Sequence, residues 1–140
     1  MTANPFVGKW TYRSLLNEPD VKQPFDKLEF GVGTLNITEH SLAVLGGSIG
    51  GPGWQLSLHG SSFGYGSPMQ VRFQGKGVVG GEEWVYDYIG WLVPAWPNSD
   101  LKLQHTAIIG SVVRTALHSS GGGAVAPAGF VASFYAVRVE

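Results

Sequence analysis

An acidic residue lies in the most aromatic segment of the chain. Asp87 stands between Tyr86 and Tyr88 within residues 84–91, which read Trp-Val-Tyr-Asp-Tyr-Ile-Gly-Trp. A carboxyl group buried among such rings loses its hydration, which suits it to general acid/base catalysis with either tyrosine, or to anchoring a ligand. On the solvent side it is only a solvated charge. Alternation along a strand separates Asp87 from the two tyrosines, and either face could be the inner one.

Other catalytic signatures are absent from the sequence. The chain has no cysteine, which excludes a thiolate nucleophile, a disulfide and a cysteine metal site. It also lacks a G-x-S-x-G motif and a glycine-rich loop ending in Gly-Lys-Ser/Thr. Four histidines occur without H-x-H or H-x-x-x-H spacing: His40, His59, His105 and His118. We interpret them as incidental and predict neither a metal site nor a cofactor.

The aromatic residues are the remaining chemical signal. Seven Phe, five Trp and five Tyr fall largely within strand-like runs, and a small barrel with such a lining either fills itself or encloses one small apolar ligand. We expect the rings to line a pocket, with hydroxyl and amide groups orienting a ligand. The predicted ligand-binding residues are Tyr12, Ser14, Asn36, Trp54, Phe73, Trp84, Tyr86, Tyr88, Ser111 and Phe134.

Short runs rich in β-branched and aromatic residues must position these side chains. No helical periodicity persists for three turns, whereas eight such runs recur between clusters of Gly, Pro, Ser and Asn. The predicted strands are 7–16, 27–38, 41–48, 53–60, 68–77, 82–93, 105–117 and 129–139. In the fifth run Met69, Val71 and Phe73 alternate with polar residues, which is typical of a half-buried antiparallel strand.

Length and composition favour closure of these strands into one barrel. A chain of 140 residues fits one domain, and 44% hydrophobic residues suffice for a core. The 21 glycines include several inside the runs, where they permit the coiling and bulges of a small barrel. We predict an all-β, single-domain, eight-stranded antiparallel up-and-down β-barrel over residues 1–140.

Two motifs at the ends of the chain resemble a known group of barrels. Gly8-Lys9-Trp10 has the G-x-W pattern of the first strand in lipocalins, fatty-acid-binding proteins and avidins, together called calycins, and Arg138 lies in the last run. The segments 90–96 and 109–113 are similar to the paired late strands of avidins, although Pro94 departs from that pattern. The resemblance implies that Trp10 and Arg138 meet at the closed end of the barrel, where their role with Gly8 is structural.

Three functions are compatible with this sequence. We favour a small-molecule-binding protein that encloses a hydrophobic or amphipathic ligand in an aromatic-lined lumen. The alternative is a cofactor-free cyclase, isomerase or dehydratase that uses Asp87 with Tyr86 or Tyr88 as acid/base. A second alternative is a protease-inhibitor-like module that reaches its partner through loops at 60–68 and 118–128.

The net charge and the apolar outer faces of the last strands indicate which partners the chain can have. A net charge of −1 with 14% charged residues gives no electrostatic footprint for nucleic acid or an acidic membrane. The seventh and eighth runs are apolar on both faces, so we expect a dimer or tetramer through strands six to eight. The N-terminus lacks the pattern of a signal peptide, which predicts a cytoplasmic protein unless the sequence is a processed form.

Overall fold

A closed antiparallel barrel forms the body of the protein. The computed structural model describes residues 4–63, 68–93 and 104–139. The strands of the barrel, in chain order, are β1 (Gly8–Leu16), β2 (Glu29–Ser41), β3 (Val44–Gly51), β4 (Trp54–Phe63), β5 (Gln70–Val79), β6 (Glu82–Val93), β7 (Ala107–Arg114) and β10 (Val131–Arg138). Their order around the barrel is β1-β10-β7-β6-β5-β4-β3-β2, and all neighbours are antiparallel. The predicted all-β, eight-stranded antiparallel barrel is confirmed.

Two short elements lie outside the barrel wall. The four-residue helix α1 (Phe25–Leu28) connects β1 to β2, and the two-stranded hairpin of β8 (His118–Gly121) and β9 (Ala124–Ala126) connects β7 to β10. Neither element is among those predicted from the sequence. Over the described parts of the chain, none of the helices has the length and apolar character needed to cross a membrane.

The strand boundaries differ from the predicted runs at several turns. The run predicted at 41–48 begins at Val44, because Leu42 and Ala43 form the turn and Ala43 has a φ of 62°. Of the loop expected at 60–68, residues 60–63 continue β4 and residues 64–67 lie outside the described residues. Pro94 and the residues that follow it to 103 also lie outside them.

Period-two alternation separates the inner face of the barrel from the outer face. In β10, Ala132, Phe134 and Ala136 are buried, whereas the residues between them are exposed. The same alternation places Trp10, Tyr12 and other residues of the eight strands in one continuous core. A residue's position in its strand therefore decides whether its side chain can reach the interior.

One end of the barrel is closed by Trp10 and Arg138. Trp10 is fully buried and donates from Nε1 to the carbonyl of Phe6, 3.0 Å away. The Arg138 Cζ lies 4.4 Å from the centre of the Trp10 ring, and its guanidinium donates to the carbonyls of Val7 and Pro5. The contact expected between Trp10 and Arg138 is present. It joins the first and last strands of the barrel, which pair from Trp10 to Leu16.

The contact between Trp10 and Arg138 predicts a large loss of stability when the guanidinium is removed. We expect Arg138→Met to lower the free energy of unfolding by about 2 to 4 kcal/mol, because both the cation–π contact and the charged hydrogen bonds to carbonyls are lost. Urea unfolding followed by tryptophan fluorescence measures this change.

Arg13→Met is the matched control for this prediction. Arg13 lies on the exposed outer face, with its Cζ 5.8 Å from the centre of the Tyr135 ring. We expect this substitution to cost at most about 1 kcal/mol. Equal losses for the two variants would contradict a special role of Arg138 in closing the barrel.

Candidate functional site

A cavity of about 230 Å³ occupies the open end of the barrel, opposite Trp10. Its lining is mostly aromatic and aliphatic, with three further polar residues, Ser14, Arg114 and His118, and the hydroxyl groups of three tyrosines. The lining residues are Tyr12, Ser14, Phe30, Gly31, Trp54, Leu56, Trp84, Tyr86, Tyr88, Val112, Arg114 and His118. Because these residues come from β1, β2, β4, β6, β7 and β8, the barrel wall positions most of the site and the hairpin completes it.

Three rings in tilted and edge-on contact separate this cavity from the packed half of the barrel. Tyr12, Tyr88 and Phe134, here called the aromatic floor, have ring centres 5.6 to 6.2 Å apart. Beneath the floor only a void of about 10 Å³ remains among the described residues of the interior. The interior is therefore filled on the Trp10 side and open on the other side.

Burial raises the pKa of both tyrosines in the aromatic floor. Desolvation is the largest cause for Tyr12, and a side-chain hydrogen bond with Ser14 acts in the opposite direction. The pKa of Tyr88 is raised well above its usual value by desolvation and then by the neighbouring tyrosines. Both hydroxyl groups therefore stay protonated in the folded chain and are available as hydrogen-bond donors at neutral pH.

A chain of hydrogen bonds links β7, β6 and the hairpin at the cavity. Arg114 Nε donates to the Tyr86 hydroxyl at 3.0 Å, and that hydroxyl lies 2.8 Å from His118 Nε2. His118 Nδ1 lies 2.9 Å from the carbonyl of Ser119, which can only accept, so Nδ1 carries the proton. Nε2 then accepts from Tyr86, and every hydrogen in the chain has an acceptor. The neutral imidazole fits this arrangement.

The hairpin of β8 and β9 packs against β6 at the mouth of the cavity. The His118 ring stacks on Trp84 with ring centres 4.1 Å apart and planes 14° apart. The Ser119 backbone N–H donates to both carboxylate oxygens of Glu82 at 3.2 Å. These contacts hold His118 against the wall, so residues 118–126 of the loop expected at 118–128 form a hairpin whose His118 lines the cavity.

Arg114 is buried among aromatic rings. Its side chain is 8% exposed, and its Cζ lies 5.3 to 5.6 Å from the ring centres of Phe30, Tyr86 and Phe130. Nη1 donates to the carbonyl of Pro127 at 3.2 Å. Ring faces stabilise a guanidinium in a desolvated position, but they do not neutralise its charge.

Most of the predicted ligand-binding residues do face the interior. Six line the cavity, namely Tyr12, Ser14, Trp54, Trp84, Tyr86 and Tyr88. Phe73 and Phe134 are also buried inside the barrel, where they line the small void beneath the cavity. The inner face of β6 is therefore the one that carries Trp84, Tyr86 and Tyr88.

Two predicted ligand-binding residues lie on the outer face instead. Asn36 is exposed, because it alternates with the buried Leu35 and Ile37 in β2. Ser111 pairs with Ser133, which is exposed between the buried Ala132 and Phe134, and cross-strand partners share a face. The expectation that Asn36 and Ser111 line the lumen is wrong.

Asp87 also lies outside the barrel. Its carboxylate is exposed and accepts a hydrogen bond from Gln74 Nε2 at 3.2 Å. It borders an open groove on the outer face of β4, β5 and β6 together with His59 and Arg72. Asp87 therefore cannot be the acid or base of a reaction in the lumen, although its two tyrosine neighbours do line the cavity.

Two polar residues of the site, Arg114 and His118, are not among the predicted ligand-binding residues. Alternation along β7 would have placed Arg114 with Ile108 and Val112 on the inner face. No periodic signal was available for His118, because it lies in the hairpin after the strand ends. The other lining residues not predicted are Phe30, Gly31, Leu56 and Val112.

Comparisons with protein-family models, with curated proteins and with solved structures found no match to this chain. In the described parts of the chain, no three metal-ligating side chains lie close enough together to hold a metal ion. The geometry of the cavity therefore carries the functional assignment.

The two buried tyrosines predict a loss of stability in alkaline solution. The unfolded chain releases tyrosine protons near pH 10, whereas the folded chain retains those of Tyr12 and Tyr88. The free energy of unfolding therefore has its full value below about pH 10. It decreases as the pH rises further, by about 1 kcal/mol per pH unit for each buried tyrosine. Urea unfolding between neutral pH and pH of about 11 measures the slope.

Phenylalanine variants identify the tyrosines responsible. The double variant Tyr12→Phe/Tyr88→Phe should lose most of the alkaline slope. Tyr135→Phe should keep it, because Tyr135 is 36% exposed on the outer face. A slope that is the same in all three proteins would show that the buried hydroxyls are not its source.

Proposed function

We propose that this chain binds one small, mostly apolar or amphipathic molecule in the cavity at the open end of the barrel. The observation that carries the proposal is the contrast between the two halves of the interior. The half near Trp10 is packed, whereas the half above the aromatic floor leaves about 230 Å³ lined by rings and a few polar groups. Concave, aromatic-lined spaces with a few convergent polar groups are typical of ligand sites.

The size of the cavity restricts the ligand. Sites for drug-sized molecules usually measure about 300 to 1,000 Å³. A volume of about 230 Å³ is smaller than this range and favours a compact molecule with one or two rings. Trp54 and Trp84 in the lining favour the same shape, because aromatic rings pack well against planar groups.

The resemblance to calycins supports this proposal. The strand order is that of an up-and-down barrel, and Trp10 and Arg138 meet at its closed end as the resemblance implies. Calycins commonly hold small molecules in the lumen, which is the function proposed here. Fold alone does not determine function, so the cavity remains the main support.

Neither alternative function gains an observation in its favour. The enzyme that uses Asp87 requires that carboxylate in the lumen, and it lies on the outer face. The inhibitor requires that the loops at 60–68 and 118–128 are free to reach a partner. Residues 60–63 of the first belong to β4, and His118 of the second packs into the cavity. We therefore retain ligand binding as the proposed function.

We also propose that the chain forms a homo-oligomer through the outer face of β6, β7 and β10. This face carries Val93, Ile109 and Val131, which are 41, 48 and 42% exposed. The half-buried Ile89 and Trp91 extend the same apolar face along β6. A second copy of this face would remove these side chains from water.

Binding in the cavity is tested by substitutions at two adjacent positions of β7. Val112 is buried and lines the cavity, whereas Val113 lies on the outer face. We expect the unsubstituted chain to bind 2-naphthol in isothermal titration calorimetry. Val112→Phe should weaken this binding by about tenfold or more, the factor that corresponds to about 1.4 kcal/mol, because the added ring occupies the cavity.

Val113→Phe is the control for steric filling, and it should bind 2-naphthol as the unsubstituted chain does. Circular dichroism shows whether both variants are folded. A native mass spectrum of the freshly purified chain, compared with its denatured mass, would detect a natural ligand directly. No binding by the unsubstituted chain, or equal binding by Val112→Phe and Val113→Phe, would contradict a ligand site in this cavity.

Self-association is tested by sedimentation velocity. We expect the unsubstituted chain to sediment as a dimer or tetramer and Ile109→Lys to sediment as a monomer, because a charge cannot be buried in an apolar interface without a partner. Val78→Lys is the control, since Val78 is 73% exposed on β5, away from the proposed interface. A monomeric unsubstituted chain at high protein concentration would contradict the proposal.

A further inference from the structure

Among the described residues that line the cavity, Arg114 is the one with a permanent charge. No Asp or Glu belongs to that lining, and in residues 4–63, 68–93 and 104–139 no carboxylate forms an ion pair with Arg114. A buried cation without a counter-charge is costly, because the interior screens its charge poorly. A negative charge entering the cavity would lower that cost.

The hydrogen bonds of Arg114 leave donors for such a group. Nε is committed to Tyr86 and Nη1 to the carbonyl of Pro127. Nη2 makes no hydrogen bond within the described part of the chain, so its two N–H groups remain available to a ligand. A guanidinium with free donors matches the geometry of a carboxylate better than that of a neutral acceptor.

With a neutral His118 imidazole, Arg114 supplies the one positive charge in the described lining of the cavity. A neutral imidazole with its proton on Nδ1 donates to the Ser119 carbonyl and accepts from the Tyr86 hydroxyl at Nε2. The described lining adds no further cation. One positive charge is complementary to a monoanion, whereas a dianion would be buried with a negative charge in excess.

We propose that the ligand is a small aromatic monoanion, an arene carboxylate, whose carboxylate binds Arg114 and whose ring packs against the aromatic walls. This inference rests on the proposed function and names its ligand class. The positive charge and the free Nη2 donors favour a carboxylate. The cavity of about 230 Å³ and its ring-lined walls favour a small aromatic molecule.

The test compares two probes of nearly equal shape, 2-naphthoate and the uncharged 2-naphthamide, by isothermal titration calorimetry at neutral pH. The unsubstituted chain should bind 2-naphthoate about tenfold or more tightly than 2-naphthamide, as expected for a charge-assisted hydrogen bond. Arg114→Gln should lose this preference and still bind 2-naphthamide. Arg72→Gln, which removes an exposed charge from β5, should keep the preference in full.

A second variant keeps the test decisive if Arg114→Gln does not fold. Arg114→Lys retains the positive charge and should keep a reduced preference for 2-naphthoate. Equal binding of the two probes by the unsubstituted chain, or an unchanged preference in Arg114→Gln, would overturn the carboxylate site and leave the proposed function standing. Failure of both probes to bind would overturn both.

Discussion

Closure of the sheet between β1 and β10 is the constraint on which the rest of the structure depends. Seven residue pairs join these strands from Trp10 to Leu16, and the guanidinium of Arg138 covers the indole at the end of that seam. A closed sheet has no free edge and a narrow interior, so every strand residue lies either inside or outside. The core, the cavity and the apolar outer face all result from that division.

The same closure explains why the interior has two different halves. On the Trp10 side, Leu, Ile and Val side chains fill the lumen to within a void the size of one water molecule. On the other side, large rings at Trp54 and Trp84 stand at the wall and leave space between them. The guanidinium of Arg114 then enters a space that contains rings and hydroxyl groups but, in the described lining, no acid.

Alternation in the sequence predicted much of the fold, because the period of a strand appears directly in residue types. It succeeded for the inward positions of β5, where polar and apolar residues alternate cleanly. It could not orient β6, since Val85, Ile89 and Trp91 are about as apolar as the tyrosines on the opposite face. Asp87 was ambiguous for this reason. Asn36 was wrongly predicted to face the lumen because a polar residue was expected to hydrogen-bond a ligand. Its apolar neighbours Leu35 and Ile37 indicate the opposite, since alternate residues of a strand face opposite sides.

The parts of the site that sequence patterns could not supply come from contacts between distant segments. The bond between Tyr86 and His118 spans 32 residues and depends on how the hairpin packs on β6. Nothing in the types of residues 118–126 indicates that packing, since the segment is rich in Gly and Ser and resembles an ordinary loop. The aromatic floor has a further consequence, because it separates the residues that hold the barrel together from those that contact the contents of the lumen. Residues at the mouth are therefore free to diversify while the packed half preserves the scaffold, so one barrel could acquire new ligand preferences without losing its fold.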